Sequence, residues 1–318
     1  MDLTNQNSNV LVSFIITCCN PNTDELIHNI GQILKLSLNE NEREIIIIDD
    51  GSTHCILNQL MPYADNITYL RIRKSGLSIA RNRGISISTG KYLQFLRAED
   101  TLITEPYEHC LDIVRYNHPD MVLFNTTDKD KKMQVFYMPD AEDGAHYMRH
   151  NTLQTSACGY IFNKDLLLNL RFTPGLTNED EEFTPLLLLR ADNIYSTDLT
   201  AYKYGQLPDK HTCMDRRSMV KYLDDTEAIL FHLNSKADAM TVADRLALRR
   251  RVAELTMEYI FDIIRLTHSS KQLETRISSL QKQGLFPLPD YNYTKKYTLM
   301  RKIIKNKIMR RLVTFAYR

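Results

Sequence analysis

The apolar residues of this chain change their spacing in an ordered way, and the changes predict its elements. Val10 to Thr17 is a continuous apolar run rich in β-branched residues, the pattern of a strand buried on both faces. It stops at Cys18-Cys19-Asn20-Pro21, a loop signal. From Asp24 to Leu38 the apolar positions Leu26, Ile30, Ile33, Leu34 and Leu38 recur at helical spacing, with Thr23 or Asp24 available to cap the N-terminus. Glu44 to Ile48 reads as a second buried strand, followed at once by Asp49-Asp50-Gly51-Ser52. Strand, helix, strand is the unit of a parallel sheet.

The unit then repeats. A short strand at Thr68 to Arg71, a turn at Gly76, a helix from Leu77 to Ser88 and a strand at Tyr92 to Leu96 run into Arg97-Ala98-Glu99-Asp100. A helix near Tyr107 to Tyr116, a strand at Met121 to Asn125 and a polar insert from Thr126 to Lys132 follow. Strands alternating with helices predict an open, doubly wound α/β sheet rather than an antiparallel one. Farther on, Cys158 to Phe162 reads as a strand, Lys164 to Asn169 as a short helix, and Glu181 to Ala191 as a helix entered from Asn178-Glu179-Asp180, with Pro185 in its first turn. From Arg216 to about Gln283 the pattern is helical and free of glycine. The expected division is an α/β domain over 1–214 and a helical C-terminal region over 215–318.

Composition adds one asymmetry. Hydrophobic residues at 43% and charged residues at 25% are those of an ordinary globular protein, so disorder and fibrous repeats are excluded. The net charge of +1 conceals a tail, 291–318, with nine Lys/Arg and no acid, on a remainder holding 31 basic and 39 acidic residues. Within it Met300, Ile303, Ile304, Ile308, Leu312 and Phe315 fall near one helical face. That pattern suits an interfacial helix on anionic lipid, and equally a helix packed on the protein body. Nucleic acid is not an expected partner, because the remainder is acidic and carries no basic aromatic platform. The six cysteines, Cys18, Cys19, Cys55, Cys110, Cys158 and Cys213, show no C-x-x-C pair or zinc-ligand spacing. Met1 to Asn9 is polar, and no stretch approaches ~18 consecutive apolar residues. The expected location is the cytoplasm, with the tail offering a peripheral contact to the inner face of the cell membrane.

In open α/β sheets the ligand lies beyond the carboxyl ends of the strands. Three such ends are polar here: Thr17 to Asn20, Asp49 to Ser52, and Arg97 to Asp100. Together with Val12-Ser13-Phe14-Ile15-Ile16-Thr17, Glu44 to Thr53, Gly76-Leu77-Ser78-Ile79-Ala80-Arg81-Asn82-Arg83-Gly84-Ile85 and Gly90-Lys91-Tyr92-Leu93-Gln94-Phe95-Leu96, they resemble family 2 glycosyltransferases with the GT-A fold. The likeness is tight from Val12 to Leu96 and looser to about residue 204.

The resemblance implies a GT-A (Rossmann-like) open mixed sheet flanked by helices, followed by helices. It also implies inverting transfer of a sugar from a nucleotide sugar, UDP-linked, to a hydroxyl of a glycan or lipid-linked acceptor. Residues set by it around the nucleotide sugar are Thr17, Cys18, Cys19, Asn20, Asp49, Asp50, Gly76, Arg81, Arg97 and Ala98. Asp50 takes the place of the base-recognising acid, and Arg81 braces the site or opens its helix. The family's Asp-x-Asp is altered to Arg97-Ala98-Glu99, which leaves Glu99 as the implied ligand of Mn2+ or Mg2+ and lets the Arg97 guanidinium share the diphosphate charge. Asn178-Glu179-Asp180 resembles the family's Glu-Asp pair, with Asp180 as general base, although an acidic run before an apolar helix also serves as a cap. Lys210 or His211 stands where a loop closes over the diphosphate. The rival to catalysis is a binding or scaffold protein of a polysaccharide assembly, favoured by the altered acid at Arg97. A nicotinamide dehydrogenase is excluded, because no G-x-G-x-x-G follows the first strand.

Overall fold

The computed structural model describes residues 10–129, 135–205 and 214–317. The chain forms two compact units. The first gathers the described residues of Met1–Gly144, Gln154–Gly175 and Leu186–Leu207, and the second those of Ala145–Leu153, Leu176–Pro185 and Pro208–Arg318.

The first unit is the sheet. In chain order come β1 (Val12–Cys18), α1 (Thr23–Leu34), β2 (Arg43–Asp50), a short α2 (Leu57–Leu60), β3 (Ile67–Ile72), α3 (Leu77–Ile87), β4 (Tyr92–Arg97), β5 (Thr101–Leu102), α4 (Thr104–Asn117), β6 (Met121–Thr127) and β7 (Ala141–Glu142). They continue with β8 (Tyr160–Asn163) and β9 (Ile194–Lys203), while the intervening α5 (Gly144–His150) from Ala145 on and α6 (Asp180–Leu188) as far as Pro185 belong to the second unit. The strands lie in the order β3-β2-β1-β4-β8-β6-β9-β5, and β7 pairs with β9. β3, β2, β1 and β4 are mutually parallel. β8 runs antiparallel between β4 and β6, so the sheet is mixed, as the likeness implied. β1 is buried along its whole length, which is why its sequence reads as an unbroken apolar run.

Several details depart from the sequence reading. α1 is capped by Asn22, whose Oδ1 accepts from the Asp24 N–H at 3.1 Å, and it ends at Leu34, four residues early. α6 begins at Asp180, so Pro185 falls in its second turn, where its missing N–H costs the helix one bond to the Glu181 carbonyl. β9 was absent from the expected elements. Its pairing with β6 shifts register twice around Asn125, and the alternation that would mark it is broken there.

The second unit is helical: α7 (Arg216–Asp238), α8 (Val242–Thr267), α9 (Ser270–Lys282), α10 (Lys295–Lys305) and α11 (Lys307–Ala316). The basic tail is two helices rather than one, with Asn306 ending α10 and capping α11 through its Oδ1. Among the described residues no helix is long and apolar enough to cross a membrane. The described cysteines, Cys18, Cys19, Cys55, Cys110 and Cys158, are free thiols.

Candidate functional site

Three strand ends meet at one edge of the sheet. In register Thr17 of β1 lies between Ile48 of β2 and Arg97 of β4, and Cys18 lies beside Asp49, so the polar clusters share about 10 Å of edge.

The loop after β2 is held from behind. Asp49 is fully buried. Its Oδ1 accepts from the Ser52 N–H at 2.8 Å and its Oδ2 from the Tyr69 hydroxyl at 2.7 Å, with Arg71 Nε 3.7 Å away. Burial opposes ionisation of this carboxyl, but the Ser52 and Tyr69 hydrogen bonds and the Arg71 charge together hold it below the ordinary carboxylate range. Asp50 uses both oxygens on the next turn: Oδ1 accepts from the Ser75 N–H at 2.6 Å and Oδ2 from the Gly76 N–H at 2.9 Å. Each oxygen keeps a second lone pair for a ligand. The chain turns here through Gly51 at φ 69° and Gly76 at φ 93°, and a Cβ on Gly51 would lie 2.6 Å from the Lys74 nitrogen.

The loop after β1 is tied to the same turn. Asn20 adopts a left-handed conformation, donates its N–H to Ser52 Oγ at 2.8 Å, and accepts at Oδ1 from the Thr53 N–H at 2.7 Å. Thr17 is buried. The Cys18 thiol is buried between two acids; burial first, then the charges of Asp49 and Glu99, push its pKa up to about 12, so it stays protonated. Cys19 is half-buried, 3.1 Å from Lys74 Nζ. Arg81, at 3% exposure, lies with its guanidinium over the rings of Phe95 and Phe172, 5.6 and 5.0 Å from their centres.

The loop after β4 is built around a cation. Asp100 is fully buried; its Oδ2 accepts from the Tyr202 hydroxyl at 2.5 Å and its Oδ1 from the Gly205 N–H at 2.8 Å. Burial raises its pKa, against the pull of Arg97, Tyr202 and Gly205. Arg97 Nε stands 3.6 Å from Asp100 and 3.8 Å from Glu99, and its Nη2 is a buried atom without a hydrogen-bond partner. The Arg97 carbonyl accepts from the Asn29 amide at 3.1 Å, and Ala98 is fully buried. The Glu99 side chain is 27% exposed, on a cavity of about 590 Å³ that Lys203 and Gly205 also line.

Among the described residues no group of three or more His, Cys, Asp or Glu side chains is placed to hold a metal ion. Asp100 is occupied, so a divalent ion would take a single carboxylate here, that of Glu99, and would need its other ligands from a diphosphate and water.

Asp180 belongs to the second unit, as the first residue of α6, and is half-buried. Around it, Asn178 Nδ2 donates to Thr226 Oγ1 at 2.9 Å, the Thr177 N–H to Asp225 at 2.9 Å, Arg251 pairs with Glu181, and His232 with Glu182. Lys210 and His211 lie outside the described residues.

The sequence reading missed Tyr69, Arg71, Ser75, Tyr202 and Gly205, the groups that hold the acids. One signal was available for two of them: Tyr69 and Arg71 share a face of β3, and Arg71 is in register with Asp49.

Residues 13–165 match the model of Glycosyl transferase family 2. The chain is similar to YibD, an uncharacterised glycosyltransferase of Escherichia coli K12, with 31% identity over 183 residues that make up 51% of this chain and 52% of YibD. Over 116 residues, 35% of each chain, it is 28% identical to TarP of Staphylococcus aureus, a poly(ribitol-phosphate) beta-N-acetylglucosaminyltransferase. The chain thus spans about half, or less, of the length of these relatives. In structure it resembles residues 1–349 of S. aureus TarS crystallised with UDP-GlcNAc, at a TM-score of 0.71 and 17% identity, covering 97% of this chain and 91% of that one. At that identity the likeness is one of fold.

Proposed function

We propose that this chain, whose residues 13–165 match the model of glycosyl transferase family 2, transfers a sugar from a UDP-sugar to a hydroxyl of a glycan or lipid-linked acceptor, with inversion at the anomeric carbon. The observation that carries this reading is the pair of acids at the end of β2. Asp49 is locked by Ser52 and Tyr69, and Asp50 is aimed by Ser75 and Gly76. A carboxylate so oriented accepts the ring N–H of uracil with its remaining lone pairs, while Thr17 to Asn20 form the opposite lip. TarS, similar in fold, was crystallised with UDP-GlcNAc, which supports a nucleotide-sugar donor, and TarP is named for a sugar transfer to poly(ribitol phosphate), which supports a polymer acceptor.

Asp180 removes the acceptor proton as the acceptor oxygen attacks the anomeric carbon and the bond from that carbon to the diphosphate breaks. Arg97 meets the charge that develops on the departing diphosphate, and Glu99 would hold a Mn2+ or Mg2+ ion. A bound divalent ion supplies further neutralisation of the leaving group.

Donor hydrolysis and transfer with a panel of nucleotide sugars, in wild type and Asp180→Asn, test the reading. The expected result is turnover lost by at least ~100-fold with the UDP-induced thermal shift retained. The cation at Arg97, in place of an acid, favours a second reading, a non-catalytic binding or scaffold protein. UDP binding without turnover in the wild type, unchanged by Asp180→Asn, selects it.

A further inference from the structure

The two helices of the basic tail pack in opposite senses. α10 turns Tyr297 and Ile304 inward, the usual arrangement of an amphipathic helix on a body. α11 does the reverse. Its buried residues are Arg310 and Thr314, whereas Ile308, Leu312 and Phe315 are 69%, 56% and 72% exposed. At 100° per residue these three side chains share one narrow arc, opposite Arg310.

The inversion is fixed by a buried clamp. Arg310 donates from Nε and Nη2 to the two carboxylate oxygens of Glu274 on α9, at 3.0 and 2.9 Å, and from Nη1 to the Ile304 carbonyl at 2.8 Å. Its guanidinium also lies 5.6 Å from the centre of the Phe286 ring. A bidentate, charge-assisted pair of this kind sets orientation as well as energy. Rotating α11 to bury its apolar arc would break that pair, so the arc stays outward.

We infer that α11 is a docking face for an anionic lipid bilayer, with Ile308, Leu312 and Phe315 entering the interface and the adjacent cations meeting lipid headgroups. Lys307 precedes Ile308, Arg311 precedes Leu312, and both are exposed, as is Lys305. The segment 291–318 holds nine Lys/Arg and no acid, while the remainder of the chain has an acidic excess, so attraction to anionic lipid is confined to this tail. An exposed apolar arc bordered by cations on long, snorkelling stems is the surface of an interfacial helix. A second copy of the chain is the poorer occupant, since a two-fold contact through this face sets one basic tail against another. The inference is independent of sugar transfer.

The test is co-sedimentation of the whole chain with phosphatidylcholine vesicles, with and without phosphatidylglycerol, at low and high salt. Binding is expected only with phosphatidylglycerol and should fall as salt rises. Leu312→Asp with Phe315→Asp should lower the bound fraction at least ~10-fold. Lys307→Gln and Arg311→Gln should each lower it up to about fivefold. Because all four side chains are exposed, melting temperature is expected to hold, and it reports any loss of fold. Three results would overturn the inference: no binding to either vesicle, binding that ignores both sets of substitutions, or lipid-free dimerisation that the two apolar substitutions abolish.

Discussion

The end of β2 with its following loop and the loop after β4 flank β1 on the same sheet edge, and each contains a fully buried aspartate, Asp49 in one and Asp100 in the other. Their surroundings push the two carboxyls in opposite directions. Asp49 has a main-chain N–H, a phenol and a guanidinium behind it, and these outweigh the cost of burial. Asp100 also has two donors and a guanidinium near it, but burial prevails. In the first loop the second acid, Asp50, is also buried and is aimed by amides; in the second the partly exposed members are Arg97 and Glu99. One loop is therefore a fixed acceptor of N–H groups, and the other a cation steadied by acids. The first suits a base and the second a diphosphate.

The comparison breaks most visibly if Arg97 is removed. Arg97→Ala should lower transfer by ~10²–10³, the scale of losing one preorganised charge donor, and leave uridine binding through Asp50 nearly intact. Steady-state kinetics alongside a uridine titration separates the two, and equal losses in both would merge the loops into one role. Next in size is Asp49→Ala, which strands the Ser52 N–H and the Tyr69 hydroxyl and should cost about 3 kcal/mol of stability, read by urea unfolding. Asp50→Ala should weaken UDP binding by roughly tenfold to a hundredfold, since a charged acceptor is lost from the base pocket. Tyr202→Phe should cost about 1 kcal/mol and loosen Arg97 through Asp100, lowering transfer while uridine binding holds.

How much of this was legible in the sequence follows from burial and distance along the chain. β1, β2 and β4 are buried on both faces, so their apolar runs announce them, and the acids that follow them mark the pocket. β5 and β7 are two residues each, too short to carry a period, and β9 loses its alternation where the pairing with β6 shifts. The donors that fix Asp49 and Asp100 arrive from β3 and β9, and no local pattern connects Tyr202 with a residue 102 positions earlier. The outward face of α11 was equally invisible. Helical spacing sets which residues share a stripe but not which way the stripe points, and that direction depends on Arg310 meeting Glu274.

The smallest predicted effect tests the contrast most directly, because its sign differs between the two loops. The ordinary carboxyl value is 3.8 for both groups. For Asp49 the folded value is lower, so the folded chain binds fewer protons than the unfolded chain; its stabilisation is present above 3.8 and is lost as pH falls through the folded value. For Asp100 the folded value is higher, so the folded chain holds the proton longer; stability declines as pH rises from 3.8 through the folded value. Melting curves across the acid range should therefore shift in opposite senses. Asp49→Asn should remove part of the gain in stability on raising the pH, and Asp100→Asn part of an opposing loss. If the two variants flattened the profile in the same direction, the electrostatic difference between the loops would be gone, and with it the reason for assigning them to different halves of a nucleotide sugar.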